Sequence, residues 1–406
     1  MTDVAQSQPG RRRGGGRGGR GGRGEQAMVP DAEFTSYYGR PVIKEPVWRV
    51  PDVPGYLFLG GLAGASSVLA AGAQLSGYRE LARFAKTSAV GAIGLSAVAL
   101  VHDLGRPDRF LHMLRVFKPS SPMSVGSWLL AGYGPVAGAA AASDLTGLFP
   151  RAGGAATVGA GLLGPAIATY TAALICDTAV PAWHEAHREM PYVFAGSAAG
   201  AAGGLGLVLA RPADARPARD LAVLGAAVEL VAKRRLISRL ASIATRGTDS
   251  ARVTDPGASG QGTSGQGTNE ATVSGRGLAE PYESGSTGRL LRVAEALTAA
   301  GLAGALLGRR SRALSAVSGA ALVAASAMTR WGIFEAGMAS ARDPKYTIIP
   351  QRARAKGATT SSQLRPGIKL RSVAFAVIVA SDEPSRQRAG RWPLVAPQMT
   401  LTGPGF

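Results

Sequence analysis

Eight apolar blocks, separated by short basic connectors, constrain this chain more than any other feature. They run Pro54–Leu75, Phe84–Val101, Val125–Ala142, Gly153–Ile175, Met190–Ala210, Ala218–Val231, Leu290–Gly308 and Ala313–Met338. Blocks of about 18 or more apolar residues with few charges read as transmembrane helices, because ~20 helical residues cross the hydrocarbon. The sixth is the weakest by this measure, being short and carrying Asp220 and Glu229. In a soluble helical bundle, polar residues would recur at helical spacing on one face; most of these blocks lack that pattern. Only 17% of the 406 residues are charged, and 56 are glycine. Ala- and Gly-rich blocks of this kind suit helices that approach closely through small residues. The expected fold class is all-α, a polytopic membrane protein built as a bundle of eight transmembrane helices.

Outside the blocks the composition shifts. Residues 1–36 include the tract Arg11-Arg-Arg-Gly-Gly-Gly-Arg-Gly-Gly-Arg-Gly-Gly-Arg-Gly24, which has nothing to bury and is expected to be a disordered basic tail. An RNA-binding reading of that tract is disfavoured because no aromatic residue is interleaved with the arginines, so no nucleic-acid partner is expected. Residues 37–244 hold helices one to six with their connecting loops, and 289–350 hold helices seven and eight. Between them, 245–288 is rich in Gly, Ser and Thr and reads as a flexible insertion. The tail 351–406 is expected to be disordered; its apolar run Ser372–Ala380 is too short to span. A single cysteine, Cys176, excludes an intrachain disulfide and a cysteine-ligated cluster within this chain. The N-terminus lacks a signal-peptide core, so the first helix would direct insertion.

Eight crossings put both termini on one side. Parity then gathers the N-terminal approach, 102–124, 177–189, 232–288 and the segment after Met338 on that face. Near the helix ends this face carries sixteen basic residues against ten on the other. The positive-inside rule makes it cytoplasmic, in a multi-pass protein of the cell membrane.

That face also collects the residue types that move protons. His102 and Asp103 stand where helix two ends, and His112 follows in the connector. Asp177, His184, Glu185, His187 and Glu189 cluster after helix four. All four histidines of the chain fall there, none in mid-helix, so a haem held between facing spans is not expected. His184 and His187 alone do not make a zinc site, which needs further ligands; no metal is expected. Within the spans, Glu229, Glu295, Arg330 and Glu335 stand out, since ionisable groups at membrane depth are costly. Arg330 and Glu335 read either as a structural ion pair or as a ligand donor with a proton path. Glu229 and Glu295 read as snorkelling toward the interface. Tyr133 and Tyr170 lie in apolar helices and suit core packing, while Trp48 and Tyr56 suit an interfacial aromatic belt.

Several stretches together resemble the polysulfide reductase/NrfD-like family of integral membrane subunits. They are Asp52-Val-Pro-Gly-Tyr-Leu-Phe-Leu-Gly-Gly-Leu-Ala-Gly64, Asp103-Leu-Gly-Arg-Pro107, Met113-Leu-Arg-Val-Phe-Lys-Pro-Ser-Ser-Pro-Met-Ser-Val-Gly-Ser-Trp128, Asp177-Thr-Ala-Val-Pro-Ala-Trp-His184 and Asp343-Pro-Lys-Tyr346. The resemblance runs over 37–356 apart from the 245–288 insertion. It implies a membrane subunit of an oxidoreductase complex, of the kind used in anaerobic respiration. Such a subunit exchanges electrons between membrane quinone (menaquinone or ubiquinone) and an iron–sulfur, ferredoxin-like partner. That partner connects in turn to a catalytic subunit, often molybdopterin-dependent. Quinone is then an exchangeable substrate, and this chain alone binds no haem or iron–sulfur cluster. On this reading His102 and Asp103 transfer protons and Arg106 positions their loop. Tyr56, Tyr133 and Arg330 contact quinone, and Asp177, His184 and Glu335 carry protons onward. Some family members place a histidine or asparagine early in helix one; here that stretch offers Tyr56 and small residues. Two other readings compete. One is a membrane anchor without quinone chemistry; the other is a transporter lined by Glu229, Glu295 and Glu335, although no internal repeat is visible between the halves.

Overall fold

The computed structural model describes residues 42–105, 108–252, 277–308 and 311–348. All belong to the first of two units, Met1–Thr359 and Thr360–Phe406. The tails 1–36 and 351–406 and the loop residue Arg106 lie outside the described residues. Among the described residues there are eight long helices: α1 (Asp52–Leu75), α2 (Arg79–Leu104), α3 (Pro122–Thr146), α4 (Pro150–Cys176), α5 (Met190–Leu209), α6 (Arg216–Arg252), α7 (Gly285–Leu307) and α8 (Arg312–Arg342). Short helical turns at Asp108–Met113, Pro181–His184 and Glu280–Glu283 decorate the connections, and no strand occurs among the described residues.

Each apolar block coincides with one long helix, and local chemistry sets the boundaries. Proline opens the first turn of α3, α4 and α5, where its missing N–H costs nothing and its φ is already helical. Ser311 caps α8, its hydroxyl accepting from the Leu314 N–H at 3.3 Å. Helix α2 stops at Gly105, whose φ of 72° is left-handed and whose N–H reaches back to the His102 carbonyl. A side chain there would be strained, and this turn fixes where His102 and Asp103 leave the helix.

The helices close two rings. α1 packs on α2, α2 on α3, α3 on α4 and α4 back on α1; α5, α6, α7 and α8 repeat the cycle. The rings join where α1 meets α5 and α8, and where α4 meets α5. Small residues allow this closeness. A Cβ at Gly64 of α1 would strike the Gly164 carbonyl of α4, and one at Gly225 of α6 would strike the α5 backbone at Gly200.

Six of the eight, α1, α2, α4, α5, α7 and α8, are long and apolar enough to cross a membrane by length and composition. α3 and α6 are not among them. α6 carries Arg219, Glu229 and Lys233 buried inside the bundle and Arg216, Asp220, Arg234 and Arg235 exposed, and both sets count against its hydropathy. Nor does the 245–288 segment begin or end as a linker. α6 continues to Arg252, and 277–288 folds back onto the bundle with Leu278 and Tyr282 buried. The Tyr282 hydroxyl donates to the Ala182 carbonyl at 2.9 Å. Leu278, Ala279, Pro281 and Tyr282 dock this stretch, and the Gly/Ser/Thr composition around them obscured it. Residues 253–276 lie outside the described residues.

The two ends of the bundle differ. At one end, the motif end, the approach to α1 meets the C-terminus of α2, and the 181–189 turn packs on α8 and on the 277–283 stretch. At the other end the links are simple: Arg211 with Glu80 at 3.5 Å, Gln74 with the Gly154 carbonyl at 3.3 Å, and Lys86 with Asp144 at 3.1 Å.

Candidate functional site

α1 supplies the spine of the site. Asp52, in its first turn, holds the imidazole of His102 through an Oδ2–Nδ1 contact of 2.7 Å, with Asp52 largely shielded and His102 67% exposed. The neighbouring Asp103 accepts a hydrogen bond at 3.1 Å from the Arg49 backbone N–H. Two carboxylates and a histidine therefore meet where α1 begins and α2 ends. The sequence reading named His102 and Asp103; Asp52 appeared only within a motif, and its pairing is a tertiary fact.

One turn deeper, Tyr56 is buried, and Ser96 of α2 donates to its carbonyl at 3.3 Å. The glycine of Ser-Val-Gly126-Ser has a role here, because a Cβ at that position would enter the Tyr170 ring. Tyr133 differs. Its hydroxyl donates to the Ala63 carbonyl at 2.7 Å and shares a 2.7 Å hydrogen bond with Ser67, tying α3 to α1. With both roles taken, Tyr133 has no free donor to offer a ligand.

Arg330 of α8 crosses into the joint between the rings. It is 1% exposed. Its Nη2 donates to the Phe194 carbonyl at 2.7 Å, its Nε to the Leu57 carbonyl at 3.4 Å, and the guanidinium lies 3.8 Å over the Phe194 ring. Nη1 is buried with no partner among the described residues, a donor held ready beside α1. Gly61 leaves the room, since a Cβ there would sit 3.2 Å from Nη2. Of the two readings of Arg330 and Glu335, the ion pair does not form. Glu335 accepts instead from the Trp331 indole N–H at 3.1 Å, because residues five apart on a helix point to different faces.

Glu229 does not snorkel. It is 2% exposed, accepts from the Thr329 hydroxyl at 2.8 Å, and lies 3.7 Å from the Lys233 ammonium, which also donates to Thr329. This buried acid–base pair on α6, tied to α8 through Thr329, escaped the sequence reading. The signal was the i, i+4 spacing of Glu229 and Lys233, which places both on one face. Glu295 does stay near the surface, 4.0 Å from Arg234.

The remaining predicted residues lie at the motif end. Asp177 is exposed just past α4. His184 contacts the Cys176 carbonyl through Nδ1 at 3.3 Å, and His187 contacts the His184 carbonyl at 2.9 Å. Among the described residues no three His, Cys, Asp or Glu side chains gather as a metal site. An aromatic stack closes the end: Trp183 is fully buried, its ring 5.4 Å from Trp48 and 5.9 Å from Phe334, and its indole N–H donates to the Ile333 carbonyl at 2.8 Å. Beyond α8, burial pushes the Tyr346 hydroxyl up to about 12, against the lowering effect of the hydrogen-bonded Lys345.

Long apolar helices in two rings, with titratable groups collected at one end, define a polytopic helical membrane protein. Residues 42–143, from the approach to α1 through nearly all of α3, match the family described as Polysulphide reductase, NrfD. The resemblance read from the motifs is borne out over that segment, which holds Asp52, Tyr56, His102, Asp103 and Tyr133. Comparison with curated proteins gave no match.

Proposed function

We propose that the chain is the membrane subunit through which an oxidoreductase complex exchanges electrons between membrane quinone and an iron–sulfur, ferredoxin-like partner. That partner leads in turn to a catalytic subunit. The observation that carries this is the coincidence of the matched segment with the Asp52–His102–Asp103 cluster and with Tyr56 one turn below it. Oxidation of a quinol releases two electrons and two protons. A site for it needs donors to hold the quinone oxygens and acceptors for protons. The buried Tyr56 and the unpartnered Nη1 of Arg330 suit the first task. Asp103 and the His102–Asp52 pair suit the second, with Arg106 in the adjoining loop as a positioning residue. Asp177, His184 and Glu335 lead protons toward water at the motif end. Tyr133 serves as wall rather than donor.

The same reading has all eight long helices crossing the membrane. α3 spans about 37 Å at 1.5 Å per residue and is held between α2 and α4, while α6 lowers its hydropathy with the buried Arg219, Glu229 and Lys233 as well as with the exposed Arg216, Asp220 and Arg234. The excess of basic residues at the motif end supports a cytoplasmic orientation for that end and for both termini. The quinone is menaquinone or ubiquinone, and the partner docks over the motif end. The test is the complex purified from membranes with its partner subunits. Added quinol should bleach the visible absorbance of the iron–sulfur partner. An intact complex whose partner stays oxidised would leave this chain as an anchor only.

A further inference from the structure

The outer groove between α5 and α6 at the motif end takes no part in the chemistry above. Its volume is about 500 Å³. Val228 and Val231 of α6 form an apolar wall, and Val231 and Tyr192 are 51% and 65% exposed, so the groove opens away from the bundle. At its mouth stand Arg188 and Arg235, both exposed. Neither has an ion-pair or hydrogen-bond partner among the described residues. The one acid in the lining, Glu189, is already neutralised: the Arg239 Nε donates to both its oxygens, at 2.7 and 2.8 Å, and Nη2 lies 2.7 Å from Oε2. The result is an apolar channel capped by two unanswered cations.

The cavity on the other flank of α6 shows what a balanced lining looks like. It measures about 590 Å³ between α6, α7 and α8. There Arg234 lies 4.0 Å from Glu295, and Arg292 donates to the Glu283 carbonyl at 2.9 Å. Charge thus singles out the α5–α6 groove.

We infer that this groove binds one anionic diacyl phospholipid, its phosphate between Arg188 and Arg235 and an acyl chain along Val228 and Val231. Guanidinium groups match phosphate oxygens in geometry and charge, and basic pockets between membrane helices favour anionic headgroups. Tyr192 supplies the amphipathic ring typical of the headgroup level. A zwitterionic headgroup would bring its own ammonium toward the two arginines and lose the advantage. The inference needs α5 and α6 to cross the bilayer but is independent of quinone chemistry.

Native mass spectrometry of the full chain in mild detergent tests it, with equimolar dioleoyl phosphatidylglycerol and dioleoyl phosphatidylcholine added. The expected result is selective retention of phosphatidylglycerol. In R188Q/R235Q that preference should fall on the order of tenfold, whereas R234Q/R292Q should keep it. Val231→Trp, which fills the groove while leaving both arginines, should also lower bound phosphatidylglycerol, and it decides the matter if the double variant does not fold. Equal retention of the two lipids by the unaltered chain, or undiminished preference in Val231→Trp, would overturn the proposal. A chain that stays in solution without detergent would instead overturn the membrane reading itself.

Discussion

Asp103→Asn separates proton transfer from structure at the centre of the proposed site. Asparagine keeps the Oδ1 that accepts from the Arg49 N–H at 3.1 Å, so the approach to α1 stays tethered. The exchange turns a charge-assisted hydrogen bond into a neutral one, a difference of about 1 kcal/mol in buried cases and less at a partly exposed rim. Thermal unfolding of the purified complex should therefore barely move. The Asp52–His102 pair is left in place, so the local charge changes at one position only. Removing a positioned acid or base costs about 10²- to 10⁴-fold in rate, and quinol-dependent reduction of the iron–sulfur partner should fall by that order. Asp103→Ala should lose both the rate and some stability, because it also strips the Arg49 N–H of its acceptor. Unchanged turnover in Asp103→Asn would remove Asp103 from the mechanism. Loss of the partner subunit from an otherwise stable Asp103→Asn complex would reassign it to assembly.

Three further outcomes are expected. Gly64→Val, which drives a side chain into the Gly164 carbonyl and Ala168 N, should lower stability by about 1–3 kcal/mol, read as a drop in Tm in detergent; an unchanged Tm would show that α1 and α4 yield there. Arg330→Met leaves the Leu57 and Phe194 carbonyls without their donor, at about 1–3 kcal/mol each before relaxation. It should depress both Tm and apparent quinol affinity, and full activity at parental stability would exclude Arg330 from the site. In a Cys176→Ser background, Leu111→Cys and Glu185→Cys should react with a membrane-impermeant maleimide from the same side and Leu148→Cys from the other. Opposite-side labelling at 111 and 185 would break the shared motif end.

The apolar blocks were legible because a membrane helix must satisfy the hydrocarbon along its own length, a demand written locally in sequence. The extent of α6 was not. Its inward charges at Glu229 and Lys233 are answered by Thr329 on another helix, and nothing local announces that partner. Tyr282 was hidden for the same reason, since its acceptor, the Ala182 carbonyl, lies a hundred positions away. His102 and Asp103 could be picked out by residue type and position at a helix end, whereas Asp52 needed the fold to bring α1 beside α2. Arg330 was visible as a cation inside an apolar block. Its supposed partner Glu335 was a matter of helical phase, and the five-residue interval already argued against the pairing.

α6 has one more consequence. Its 37 residues make a rod of about 55 Å, against a hydrocarbon slab of ~30 Å. Its first turn sits at the far end of the bundle, so most of the overhang projects from the end that holds His102 and Asp103. A soluble subunit docked there, as proposed above, would meet this overhang of the second ring. On that proposal the overhang would set the standoff on its own flank and leave the α1–α2 side as the low approach, nearest to Asp52 and His102.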